Sequence, residues 1–224
     1  MRAVVCLVLL VAGAAISAQP PAEPSAFEKD AKGWLDLFPG KDLAGWKRVA
    51  IPPDEKLSDR NPWSIDEANK LLVCDGVGIK EMLLYDREFA DGIFHLEWRF
   101  RKAEGKQDYN SGAYVRTAID GTHWHQVQIA HQEKPPLLGD LFSPSLDKDK
   151  PAQVLIRGDG AKRGKPVGEW NTFEITARGN SVAVWVNGAE TLTWKECAVR
   201  KGHVGMQAEF YFIEFRNLKF KPLP

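Results

Sequence analysis

The sequence has 224 residues, 27% of them charged and 44% hydrophobic, with 30 basic residues balanced by 30 acidic ones. That length can bury a substantial core, and the composition excludes both a disordered chain and a multi-span membrane protein. Zero formal charge removes the composition-level argument for a nucleic-acid or anionic-membrane partner.

In chain order, the first signal is a leader. Arg2 precedes an apolar stretch from Ala3 to Ile16, and Ser17 and Ala18 are small. This predicts a signal peptide over residues 1–18 and a secreted or periplasmic protein that leaves the membrane after cleavage. An uncleaved anchor is the competing reading. Residues 19–32 are expected as a Pro-rich linker with a short helix. Ser25-Ala-Phe-Glu28 fits a capping box and Gly33 fits a stop, which places the helix over Ala26 to Lys32.

From residue 33 to 224 the hydrophobic period is two, which predicts a single all-β domain. In Ile93 to Arg101, Phe94, Leu96, Trp98 and Phe100 alternate with His95, Glu97, Arg99 and Arg101. Phe173-Ile175-Ala177 and Val182-Val184-Val186 repeat the pattern, and Asn187-Gly188 is a hairpin turn signal. Further strands are expected at Lys70 to Cys74, Gly112 to Thr117, Trp124 to Ala130, Gln153 to Arg157, Val204 to Gln207 and Tyr211 to Lys221. Short strands that each present one apolar face suit a two-sheet sandwich or a barrel. The span Gln132 to Glu169 reads as a long functional or disordered excursion. Removal of the leader leaves Cys74 and Cys197, which are either one disulfide or two buried thiols.

The candidate site follows from strand parity. Trp124, Gln126 and Gln128 alternate with Val127 and Ile129, so a ring and two amides share the face away from the core. Tyr114 and Arg116 lie beside Gln126 and Gln128 if the two strands pair. Glu97 and Arg99 are expected to extend the same patch from the Ile93 strand. Flat rings interleaved with amides suit a carbohydrate ligand better than a lipid or nucleotide. His123, His125 and His131 share the Val127 face by parity, and the strand-end pair His123 and His131 are the better functional candidates. A standard glycosidase needs two carboxyl groups, about 5–5.5 Å apart when retaining. The Trp124 strand and its predecessor carry none.

A series of motifs then resembles a known family. Leu37-Phe-Pro-Gly-Lys-Asp-Leu-Ala-Gly-Trp46 is similar to the opening of the 3-keto-disaccharide hydrolase domain family. Leu96-Glu-Trp-Arg-Phe100, Asn110-Ser-Gly-Ala-Tyr-Val-Arg116, Gly168-Glu-Trp-Asn171, Trp185-Val-Asn-Gly188, Gly202-His-Val-Gly-Met-Gln207 and Ile213-Glu-Phe-Arg-Asn217 follow in order. The resemblance implies a two-sheet jelly-roll sandwich of the concanavalin A-like lectin/glucanase type. It also implies cleavage of glycosides already oxidised to a ketone at C3. The ketone acidifies the C2 proton, so one base, an enolate stabiliser and room for a divalent metal ion suffice. On this reading Glu97, His131 and Arg116 are the catalytic candidates. Arg99, Asn110, Tyr114, Trp124, Gln126 and Gln128 are the substrate-binding ones. Many relatives carry Glu-x-Gln where this chain has Gln126-Val-Gln128, so a lectin-like module without catalysis is the alternative.

Overall fold

The computed structural model describes residues 21–51, 56–132, 134–144 and 152–224. The expected leader lies outside them. Among the described residues there are fifteen strands: β1 (Leu35–Asp36), β2 (Trp46–Ala50), β3 (Trp63–Asp66), β4 (Leu71–Asp75), β5 (Lys80–Tyr85), β6 (Gly92–Phe100), β7 (Tyr109–Thr117), β8 (His125–His131), β9 (Leu141–Ser143), β10 (Gln153–Ile156), β11 (Asn171–Arg178), β12 (Ser181–Val186), β13 (Ala189–Trp194), β14 (His203–Glu209) and β15 (Phe212–Pro222). They form two antiparallel sheets. The first runs β13-β12-β11-β6-β15-β4-β3, with β1 also on β15; the second runs β10-β9-β8-β7-β14-β5-β2. This is the all-β, two-sheet jelly-roll sandwich that the strand periodicity and the motif series imply.

The alternating residues close the core between the sheets. Phe94, Leu96, Trp98 and Phe100 of β6 are buried with Phe173 and Ile175 of β11 on one side, and with Ala113, Val115, Val127 and Ile129 on the other. Trp98 meets Phe173 at 5.7 Å between ring centroids, and Phe100 meets Tyr109 across the sheets at 5.2 Å. Each large side chain so buried contributes roughly 1.5–3 kcal/mol. The β12–β13 hairpin turns through Asn187 and Gly188, both with positive φ, as its two-residue loop requires.

The N-terminal segment is shorter in helix and more firmly held than a linker. The helix α1 covers Ala26–Lys29, and its capping box is formed by Ser25 and Glu28. The amide N–H groups of Ala26 and Phe27 donate to the Glu174 carboxylate at 2.6 and 3.0 Å, and Glu23 N–H donates to Gly188 O at 2.8 Å. Phe27 and Trp34 cover His95, which is therefore buried although the strand pattern put it on a charged face. Cys74 and Cys197 are both free and buried, which settles the choice in favour of two separate thiols.

Candidate functional site

The site lies on the face of the second sheet that points away from the core. Pairing of β7 with β8 sets Tyr114 opposite Gln126 and Gly112 opposite Gln128. Pairing of β14 with β5 sets Gln207 opposite Met82 and Glu209 opposite Lys80. Since side chains alternate along a strand, Asn110, Gln126, Gln128, Gln207 and Glu209 all emerge on this one face. They line a cleft of about 240 Å³ together with Trp124, Lys80, Ile51 and Phe142. Leu137 and Ala152 also reach it, so part of the long excursion after β8 forms a wall of the site.

The amides form a directed row. Gln126 Nε2 donates to Gln207 Oε1 at 3.0 Å and to Gln128 Oε1 at 3.2 Å. Gln128 Nε2 donates in turn to Asn110 Oδ1. Gln126, Gln128 and Gln207 are nearly buried, so these bonds hold the row in one arrangement. The row leaves the Asn110 Nδ2 donors and the Gln126 Oε1 acceptor without a protein partner among the described residues. These are the groups a ligand hydroxyl or carbonyl would meet.

The floor beside the row is apolar. Val49, Ile51, Met82, Leu84, Tyr114 and Trp124 form a second hydrophobic cluster, separate from the core. Trp124 stands edge-on to Tyr114 at 6.0 Å. Tyr114 is fully buried beneath it, and burial holds its phenol protonated, well above the usual tyrosine range.

Glu209 is the carboxylate of the cleft among the described residues. Burial pushes its pKa above the ordinary glutamate value, and this outweighs the pull of Lys80 and a hydrogen bond from Gln207. The Lys80 ammonium stands 3.9 Å from the carboxylate. A carboxylate whose pKa is raised is a stronger base than an ordinary glutamate, and its acid form can return the proton.

The structure gathers Asn110, Trp124, Gln126 and Gln128 at the cleft as the parity argument expects, whereas Tyr114 shares their face but is buried beneath Trp124 and does not line the cleft. It separates the other candidates. Glu97 and Arg99 belong to β6, which pairs with β11 and β15 in the first sheet, not with β7. The β6–β7 connection crosses from one sheet to the other, so adjacency in sequence does not become adjacency in a sheet. Glu97 accepts from Arg216 at 2.8 Å and from Asn217 at 2.5 Å. Arg99 donates to Glu214 at 2.5 Å and lies over the Trp170 ring.

Arg116 leaves the face for a different reason. The β7–β14 register shifts between His203 opposite Thr117 and Gly205 opposite Tyr114, and Arg116 has φ +48° at that irregularity. Its side chain turns inward. It donates to the carbonyls of Gly179 and Val199 at 2.6 and 2.7 Å and to the Asp91 carboxylate at 2.9 Å. His131 points away from the amide row and lies edge-on to Tyr109 at 6.4 Å. His125 is buried beside Cys197 and Trp194, and burial with the neighbouring His123 and Arg116 lowers its pKa to about 4.

The polar cleft residues outside the sequence-based set include Lys80, Gln207 and Glu209. The signal for two of them was present. Met206 and Ala208 are core residues, so Gln207 and Glu209 had to share the opposite face. The sequence pattern ends the strand at Gln207, two residues short of Glu209, where β14 ends. Among the described residues no group of three His, Cys, Asp or Glu side chains could hold a metal ion. Among the described residues the cleft offers one carboxylate, an ammonium group and neutral amides, a donor set that does not fit a protein-held divalent ion.

A family model described as the 3-keto-alpha-glucoside-1,2-lyase-like domain matches residues 33–221. The chain belongs to that family. It is thereby a carbohydrate-active protein, and the whole motif series falls inside the matched span. No curated protein matches the chain. Solved structures with the same fold include a Parabacteroides distasonis protein assigned to the glycosyl hydrolases, at TM-score 0.59 and 20% identity over 85% of this chain and 99% of that one. The carbohydrate-binding module CBM66 of Bacillus subtilis superposes at TM-score 0.57 and 13% identity over 78% of this chain and 93% of the module. A Bacillus licheniformis beta-glucanase does so at 0.53 and 12%, over 87% of this chain and 100% of the enzyme. At these identities the likeness carries the fold alone.

Proposed function

We propose that this member of the family cleaves 3-keto-glycosides by elimination and hydration, with Glu209 as the acid/base, and that it works after export, as the apolar leader suggests. The observation that carries the reading is the half-buried Glu209 carboxyl group, the one that lines the cleft among the described residues, set at the end of a fixed amide row and beside an ammonium group.

The chemistry follows from those groups. The Glu209 carboxylate removes the C2 proton, and the electron pair moves to the C3 oxygen as an enolate. The free N–H groups of Asn110 and the ammonium of Lys80 are the donors available to that oxygen. Collapse of the enolate restores the C3 ketone, forms the C1–C2 double bond and breaks the bond from C1 to the leaving oxygen. The proton on Glu209 passes to that oxygen. Water then adds to C1 and a proton to C2, giving the free 3-keto sugar. One carboxyl group thus acts in both directions, and a second is not needed.

The experiment is to incubate the purified protein with a 3-keto-glucoside and measure aglycone release. Turnover that falls by about 10²–10⁴-fold in Glu209→Gln supports the reading. A second reading is favoured by one observation: the β8 residues that line the cleft, Gln126 and Gln128, are neutral amides and carry no acid or base. If wild-type protein binds the sugar but releases no aglycone, the cleft is that of a lectin-like module.

A further inference from the structure

A second cavity of about 600 Å³ lies at the end of the sandwich next to the cleft. Its wall carries Lys102, Lys106 and Lys134, with Asp108 as its only acid among the described residues. None of the three ammonium groups has an ion pair or hydrogen bond among the described residues. The chain as a whole has no net charge, so this concentration of one sign is local.

The pocket has a rigid base. Tyr109 lines it, is buried, and packs against Phe100 and Tyr211 at 5.2 and 5.3 Å. Its hydroxyl accepts the Ala103 N–H at 3.0 Å, which ties the loop carrying Lys102 and Lys106 to that base. Two lysines are therefore brought to the cavity by a loop tied to this base at Ala103. Three like charges converging on one concavity repel one another, and an anion relieves that repulsion.

The two cavities share strand ends. On β7, Tyr109 lines the pocket and the next residue, Asn110, lines the cleft; at the end of β8, His131 and the following Gln132 divide in the same way. Tyr109 and His131 are cross-strand partners. Consecutive strand residues point to opposite faces, so the pocket opens around these strand ends from the cleft, and a glycan that runs off the amides past Gln132 and over the ends reaches the lysines.

We infer that this pocket is an anion subsite for a carboxylate- or sulfate-bearing sugar residue of a glycan seated in the amide cleft. The inference rests on the carbohydrate reading of that cleft. Ammonium donors form charge-assisted hydrogen bonds with either anion, and their exposure makes the attraction sensitive to salt.

The test is calorimetric binding by the full chain of three probes: a glucuronate–glucose disaccharide, a sulfated cellobiose and neutral cellobiose. The expected result is at least about tenfold tighter binding of one or both acidic probes than of cellobiose at low salt. That advantage should shrink at physiological salt and vanish in Lys102→Met/Lys106→Met/Lys134→Met, but survive in the triple Lys→Arg variant. The probe that keeps the advantage identifies the anion. The three side chains are exposed, so both variants should fold. Equal affinity for acidic and neutral probes, or an advantage retained in the methionine variant, overturns the subsite. Binding is read without turnover. A protein that holds the acidic probe through these lysines yet releases no aglycone from a 3-keto-glucoside keeps the subsite and loses only the cleavage chemistry.

Discussion

Gly112 leaves the space that the Gln126 side chain occupies. A Cβ at Gly112 would stand 2.4 Å from Gln126 Nε2 and 2.6 Å from Gln126 Cδ. The absence of a side chain on β7 therefore lets the amide row of β8 lie flat across the sheet and reach Gln207 on β14. Gly112→Ala should push Gln126 out of both of its hydrogen bonds. We expect a stability loss of about 1–3 kcal/mol and a greater than tenfold loss of sugar affinity. Thermal melting and calorimetric titration would show them. Unchanged affinity in a folded variant would mean that the row does not contact the ligand.

If Glu209 is the base, the acid limb of kcat/KM must follow its titration. Burial raises that pKa, so the limb should lie above the ordinary glutamate range, with activity lost as pH falls through it. Lys80 pulls the value down, and Lys80→Met should move the limb to higher pH. A pH–rate profile unmoved by Lys80→Met would argue against Glu209 as the titrating group.

Arg116 should matter for stability rather than for the cleft. Its guanidinium satisfies two carbonyls and the Asp91 carboxylate from a buried position. Removing it strands those partners, and Arg116→Ala should cost about 3 kcal/mol in denaturant unfolding. Glu97→Ala deletes pairs on the far sheet and should leave sugar affinity at the wild-type value. Loss of binding in Glu97→Ala would contradict the assignment of the site to the second sheet.

The N-terminal segment should come away in acid before the sandwich does. Burial pushes Glu174 up, but hydrogen bonds from His95, Ala26 and Phe27 outweigh it and hold its pKa below the ordinary value. A depressed carboxyl pKa stabilises above the unfolded value and loses that contribution as pH falls through the folded one. Docking of α1 should therefore weaken below about pH 4. Hydrogen exchange at the Ala26 and Phe27 amides measures it. Protection that persists at low pH, or that survives Glu174→Gln at neutral pH, would show that the carboxylate does not hold the segment.

Part of the site was legible because strand parity is a local property. Once Val127 and Ile129 are assigned to the core, Gln126 and Gln128 must face the other way, and the same rule puts Tyr114 beside them when β7 and β8 pair. The errors share a cause. Glu97 and Arg99 were read correctly as the polar face of β6 but assigned to the wrong sheet. Arg116 was read as an alternating strand residue, yet an irregular step in the β7–β14 register turns it inward. The cluster of Lys102, Lys106 and Lys134 was not visible either, because its members come from two loops.

The sequence by itself determined the alternation of apolar and polar residues, and so the two-sheet sandwich and the in-or-out sense of most strand residues, since those depend on neighbours one or two positions away. The order of strands, and with it the meeting of Glu209 and Lys80 with the amides of β8, was decided by tertiary structure. Which strands pair depends on how the apolar faces of distant segments close over one another, and no local pattern encodes that.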